Sequence, residues 1–346
     1  MCIKYILSHK KKCCNIAEDR QNHECILKTK PIHQTMNRRE SIQLMSVAAA
    51  AMAMPHLGCS TAHKRAGQEP AKTDFRYCLN TSTIMGQQLG LRKNIEIAAR
   101  AGYDGLELWV RDVQAFLDEG NSLQSLHEFI RDNGLEVYNA IGFAPWLADN
   151  DEVAVAAFKQ MKQEMEMMAA IGCTRIAAPA AGSFEKPELD LFLAGERYRQ
   201  LIELGRQTGV MPQLEFWGAS RMLYHIGQTL MIAAVANDPD VKILPDIYHM
   251  FRGGSGFESL KMLSGSLVEV FHINDYPGNI PREEQTDADR VFPGDGEAPV
   301  QQIFNDLAAM GGLKILSLEL FNRTYWEQDA LVVAETGLQK MKDIFH

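Results

Sequence analysis

Four residues in the second half of the chain have the types and setting for metal-assisted chemistry: Glu215, Asp246, His272 and Glu319. Each falls near the end of a short apolar run and is flanked by apolar residues, as in Gln213-Leu214-Glu215-Phe216, Leu244-Pro245-Asp246-Ile247, Phe271-His272-Ile273 and Leu318-Glu319-Leu320. Apolar flanks place all four in buried surroundings, where an ionised carboxylate is costly unless it is paired or bound to a cation. Three carboxylates gathered at one point repel each other, and a divalent ion resolves the conflict. The donor set suits one Mn²⁺, Zn²⁺, Co²⁺ or Mg²⁺ ion, without choosing among them, and leaves positions open for substrate oxygens. Any one of the four alone reads equally well as a structural ion-pair member. Their equivalent placement at the ends of successive runs makes that bland reading the weaker one for the set. His249, three residues after Asp246, is placed to touch substrate or support a ligand rather than to be one. Trp109, Trp146 and Trp217 also follow apolar runs, and either wall the site or pack in the core.

The elements that must position these groups follow from the hydrophobic pattern. Strand-like runs are expected at 77–83, 105–110, 135–141, 174–178, 211–216, 241–246, 268–273 and 315–321. Amphipathic helices are expected at 91–101, 122–133, 153–171, 189–207, 226–236, 257–263, 300–310 and 328–344. Several of these end in glycine, as at Ala101-Gly102, Asn133-Gly134 and Ile171-Gly172, the usual C-terminal helix stop. Eight strand-helix repeats in roughly 270 residues predict an α/β fold, a single (β/α)8 TIM barrel over 75–346. A doubly wound open sheet would need a glycine-rich phosphate loop after the first strand, and the stretch from Asn80 to Gly86 does not supply one. In a barrel the chemistry sits at the C-terminal ends of strands, which is where the four residues fall.

The chain has 346 residues, 46% hydrophobic and 23% charged, a globular composition. Its charge is uneven. Residues 1–65 carry 11 Lys and Arg against 4 Asp and Glu, leaving 24 against 40 in the remaining 281. An acidic body without a basic stripe argues against nucleic acid as a partner. The basic end reads as an address: Asn37-Arg38-Arg39-Glu40-Ser41 precedes a short apolar stretch and then Leu57-Gly58-Cys59-Ser60. This order resembles a twin-arginine export signal closed by a lipoprotein box over 36–59, too short to span a bilayer, with Cys59 as the lipidated residue. On this reading 1–35 is an upstream extension before a true start at Met36, and 60–74 is a polar tether. The protein is then an exported periplasmic or cell-envelope lipoprotein that touches the membrane only through its anchor.

The barrel segment resembles the xylose isomerase-like barrel family, and within it the inosose (2-keto-myo-inositol) isomerases and ketose 3-epimerases. The motifs are Leu214-Glu215-Phe216-Trp217-Gly218, Asp246-Ile247-Tyr248-His249, Phe271-His272-Ile273-Asn274-Asp275, Ser317-Leu318-Glu319-Leu320-Phe321 and the run from Asp289 to Gly296 containing Arg290-Val291-Phe292-Pro293-Gly294. The resemblance implies metal binding by Glu215, Asp246, His272 and Glu319, acid and base roles for Glu215 and Glu319, and substrate contacts from His249 and Arg290. Endonuclease IV, in the same family, uses further histidines that the first half of this barrel lacks at its strand ends.

The chemistry expected is proton removal α to the carbonyl of a small keto-sugar or keto-inositol, the enediolate being stabilised by the metal. Trp109 and Trp217 would face the substrate. Two alternatives stand beside it: a lyase or hydratase that expels a β-leaving group from a 3-keto-glycoside, and a non-catalytic exported sugar-binding lipoprotein.

Overall fold

Eight parallel strands build the centre of the molecule: β1 Thr73–Asn80, β2 Gly105–Trp109, β3 Glu136–Ile141, β4 Arg175–Ala178, β5 Met211–Glu215, β6 Ile243–Leu244, β7 Val270–Ile273 and β8 Gly312–Leu318. The computed structural model describes residues 73–182 and 189–344, all within one unit, Gly67–His346. The expected signal at 36–59 with Cys59, the extension 1–35 and residues 60–72 lie outside the described residues. Strand ladders run β3-β2-β1-β8-β7 and β4-β5-β6. Parallel bridges from Ile243 to Val268 and from Asp246 to His272 join β6 to β7, and β3 packs beside β4. The result is the TIM barrel expected from the eightfold alternation.

The α-helices are α1 Leu91–Ala101, α2 Val110–Asp118, α3 Leu123–Asp132, α4 Asp151–Ala170, α5 Leu191–Thr208, α6 Ile226–Ala236, α7 Ile247–Arg252, α8 Val300–Met310, α9 Arg323–Trp326 and α10 Ala330–Asp343. None of the described helices is long and apolar enough to cross a membrane. Local capping sets many of their starts. Asn150, Asp190 and Asp329 each accept two backbone N–H bonds at the head of α4, α5 and α10, which satisfies donors that a helix start leaves unpaired.

Strands buried on both faces separate two cores. Along β2, Leu106 and Leu108 face the helical layer, while Trp109 joins Cys78, Tyr138, Ala177 and Leu244 inside the barrel. Some boundaries differ from the sequence expectation for local reasons. The strand expected at 241–246 shrinks to two residues because Pro245 has no N–H for the ladder and Asp246 caps α7, accepting from the His249 N–H at 2.8 Å. The first strand starts at Thr73, pairing with Gly312 of β8, and ends where the Asn80 side chain accepts from Ser82 N and turns the chain into a 3-10 helix. The helix expected at 257–263 is also 3-10, and α2, unexpected from sequence, starts directly at the end of β2.

Candidate active site

Glu215 ends β5, Asp246 follows β6 by two residues, His272 lies in β7 and Glu319 follows β8 directly. The barrel brings their side chains to one point. From His272 Nδ1, the Glu319 Oε2, Asp246 Oδ2 and Glu215 Oε1 atoms stand at 3.2, 3.5 and 3.9 Å. The Nδ1 atom is itself buried and has no hydrogen-bond partner. An unpartnered imidazole nitrogen facing three carboxylates is the donor set a divalent cation takes. These residues therefore fit the metal that the sequence implied.

Arg290, fully buried, crosses the same point. Its Nη1 donates to Asp246 Oδ2 at 3.0 Å and Glu319 Oε2 at 2.7 Å, and its Nη2 reaches His249 Nε2 at 3.2 Å. Tyr248 and Phe321 lie against the guanidinium, 4.7 and 5.2 Å from it to their ring centres. Since Arg290 can only donate, His249 Nε2 accepts and its proton rests on Nδ1. Arg290 Nη2 also donates to Asp287 Oδ1, and the next residue, Val291, pairs with Asp275. The Asp275 carboxylate accepts from the backbone N–H groups of Tyr276, Gly294, Gly296 and Ala298. The glycines are needed there: Gly294 has φ +87°, and a Cβ on Gly296 would stand 2.3 Å from the Tyr276 carbonyl.

The electrostatics separate the carboxylates. Burial raises the Glu215 carboxyl to about 8, helped by Glu319 and Asp246 and opposed by His272; no hydrogen-bond donor to it is found among the described residues. Burial also acts upward on Asp246, but Arg290, His249 and His272 hold it below its ordinary range. Burial pulls His272 down, yet Glu107 and Glu319 carry it well above the usual imidazole value. Desolvation lowers His249. Glu215 and Glu319 are the same residue type with different partners, Glu319 accepting from Arg290 and Asn80.

Above this floor opens a cavity of about 970 Å³, lined among others by Trp109, Trp217, His249, Arg290, Glu215 and Glu319. Trp109 and Phe143 lie 5.3 Å apart, Phe143 and Trp217 6.0 Å, and Trp109 and Phe321 6.0 Å between ring centres. They form the aromatic wall that the sequence suggested. Trp146 does not belong to it: fully buried, it donates from Nε1 to the Pro179 carbonyl and packs on Tyr198.

Sequence reasoning missed Phe143 and Phe321 in the wall, and it missed Glu107 beneath the site. Glu107, with Leu106 and Leu108 on either side, carried the same apolar-flank signal as Glu215, but it lies within its strand rather than at its end. Glu107, His272 and Glu319 each offer an atom within 4.8 Å of the others.

A family model described as the xylose isomerase-like TIM barrel matches residues 95–344. The chain belongs to that family. Inosose isomerase of Bacillus velezensis is 26% identical to it over 271 residues, covering 76% of this chain and 94% of the relative. Similar in fold are an IOLI protein solved with a bound zinc atom (TM-score 0.72, 23% identity, 78% of this chain and 97% of the other) and a 3-keto-D-glucoside 4-epimerase from E. coli (TM-score 0.61, 18% identity, 78% and 100%). With such relatives, the chain is an enzyme of the isomerase and epimerase class.

Proposed function

We propose that this enzyme is a divalent-metal-dependent isomerase or epimerase of a keto-sugar or keto-inositol, acting by proton removal α to a carbonyl. The observation that carries the reading is the convergence of Glu215, Asp246 and Glu319 on the unpartnered Nδ1 of His272 at the floor of a walled cavity. The inosose isomerase relatives and the zinc in the IOLI structure support it. Glu215, Asp246, His272 and Glu319 would hold the ion, and what it supplies when bound is Lewis-acid polarisation of a substrate carbonyl.

The chain's own groups do the rest. Glu215 and Glu319 reach the cavity from strands three apart in the barrel, so one removes the proton and the other returns it. Return at the same carbon is epimerisation, and at the neighbouring carbon isomerisation. Arg290 and His249 present fixed hydrogen-bonding groups to substrate oxygens. Trp109, Phe143 and Trp217 cover the apolar face of a ring and keep water out.

A second reading is β-elimination from a 3-keto-glycoside. The cavity favours it, being at the upper end of the roughly 300–1,000 Å³ of small-molecule sites and leaving room beyond one sugar ring. Incubation of the metal-loaded enzyme with inososes, ketohexoses and 3-keto-glucosides, with products resolved by NMR, separates the two. A new isomer of unchanged mass supports the first reading, and a released aglycone supports the second.

We also propose that 36–59 directs export and that Cys59 carries the lipid, on the strength of the twin-arginine and Leu57-Gly58-Cys59-Ser60 motifs. Cys59→Ala should move the protein from the membrane fraction to the soluble one. Wild-type protein already in the soluble fraction would contradict the anchor.

A further inference from the structure

Beneath the site, a carboxylate with no place in the proton transfer above is buried completely. Glu107 comes from the middle of β2 and meets side chains from four other strands. Its Oε1 accepts from His272 Nε2 at 3.0 Å and from Asn139 Nδ2 at 2.6 Å. Its Oε2 accepts from Asn80 Nδ2 at 2.7 Å and from Ser317 Oγ at 2.6 Å. A carboxylate offers about four lone-pair sites, and all four are taken. Glu107 is therefore no free ligand, although its oxygens lie near those of the cation site.

The pattern fixes the orientation of everything around it. The Asn80 amide cannot be reversed, because its Oδ1 accepts from Trp109 Nε1 at 2.9 Å and from Ser82 N at 2.9 Å. Its Nδ2 therefore faces Glu107 and also reaches Glu319 Oε1 at 3.0 Å. With two amides and a hydroxyl donating to it, Glu107 can only accept from His272, which sets the imidazole proton on Nε2. In the neutral ring that a metal ion takes, the lone pair then sits on Nδ1, the atom turned towards Glu215, Asp246 and Glu319.

We propose that Glu107 is the positioning residue of the metal centre, holding His272 in the tautomer and ring orientation that present Nδ1 to the ion. This rests on the metal-dependent reading above. A carboxylate on the far nitrogen of a ligating histidine fixes the ring and raises its basicity, and removing such a group weakens metal affinity about 10- to 100-fold. In Glu107→Gln, the new amide N–H faces donors from Asn80, Asn139 or Ser317, or else donates to His272 Nε2 and drives its proton to Nδ1.

The test uses full-length protein stripped by chelator and titrated with Co²⁺, read by the visible ligand-field bands rather than by turnover. Wild type should bind Co²⁺ and develop visible ligand-field bands. Glu107→Gln should bind about 10- to 100-fold more weakly, with shifted bands, and Ser317→Ala, which removes one donor to Glu107 and leaves His272 untouched, should show a smaller loss. Equal affinity and identical bands in wild type and Glu107→Gln would overturn the positioning role. Failure of wild type itself to bind would overturn the metal reading on which it rests. Wild type also gives an answer that needs no variant to fold: in the Zn²⁺-loaded protein, long-range ¹H–¹⁵N spectra of His272 should show the proton on Nε2. A proton on Nδ1 would overturn the proposal.

Discussion

Glu215 and Glu319 are the same residue type, three strands apart in the barrel, and their surroundings give them different partners. Glu319 is held by Arg290 and Asn80, whereas Glu215 takes no such bond and burial lifts its carboxyl to about 8 in the absence of a cation. A carboxyl raised in the fold keeps a proton that the unfolded chain has already lost. Its contribution to stability is therefore fully present below the ordinary carboxylate range and is lost as pH rises through about 8. In chelator, wild-type melting temperature should fall relative to Glu215→Gln as pH climbs from about 5 to about 8. Parallel curves for the two proteins would show that Glu215 is not so raised. Divalent metal must displace that proton, so the stabilisation it gives should grow with pH over the same window. Replacing Glu319 by Gln keeps the shape of the site and one of its two accepted hydrogen bonds, from Asn80 or from Arg290, and should leave the fold intact while removing most turnover. Near-wild-type turnover in that variant would remove Glu319 from the proton transfer.

At the level of elements, Asp275 and its turn position Arg290 without touching the cavity floor. The carboxylate satisfies four backbone N–H groups at once. Asp275→Ala leaves those donors unpaired and should destabilise the fold by about 1–3 kcal/mol in urea unfolding. Gly296→Ala should do so through collision with the Tyr276 carbonyl, again by about 1–3 kcal/mol, and both should raise KM by releasing Arg290. Neither effect appearing would mean that the turn is not what fixes the arginine. The sequence made much of this legible. Eight apolar runs separated by helical periodicity expose a barrel, and an ionisable residue near the C-terminal end of an apolar run exposes a buried site, which is why Glu215, Asp246, His272 and Glu319 could be read directly. The same logic did not extend to Glu107, because a mid-strand acid looks like a structural one until the neighbouring strands show what it bonds. Trp146 failed in the opposite direction: an aromatic after a strand points to cavity or core depending on a loop path that periodicity does not describe. The two-residue length of β6 depended on Pro245 and on the cap at Asp246, local features that an apolar count overlooks.

The whole molecule places one acidic barrel mouth, a guanidinium and an aromatic wall around a single point, and nearly every strand contributes to it. Asn80, Glu107, Asn139, Glu215, Asp246, His272 and Glu319 come from β1, β2 and β3 and from the ends of β5 to β8. The open side of that point is the substrate's, and the chemistry proposed there is exchange of a proton α to a carbonyl. The most direct measurement is NMR of a candidate keto-sugar or inosose in D₂O with metal-loaded enzyme. Deuterium should enter at the carbon α to the carbonyl, with wild type exchanging and Glu319→Gln nearly silent. Metal-saturated, folded wild type that exchanges no α-hydrogen in any inosose, ketohexose or 3-keto-glucoside would contradict the account.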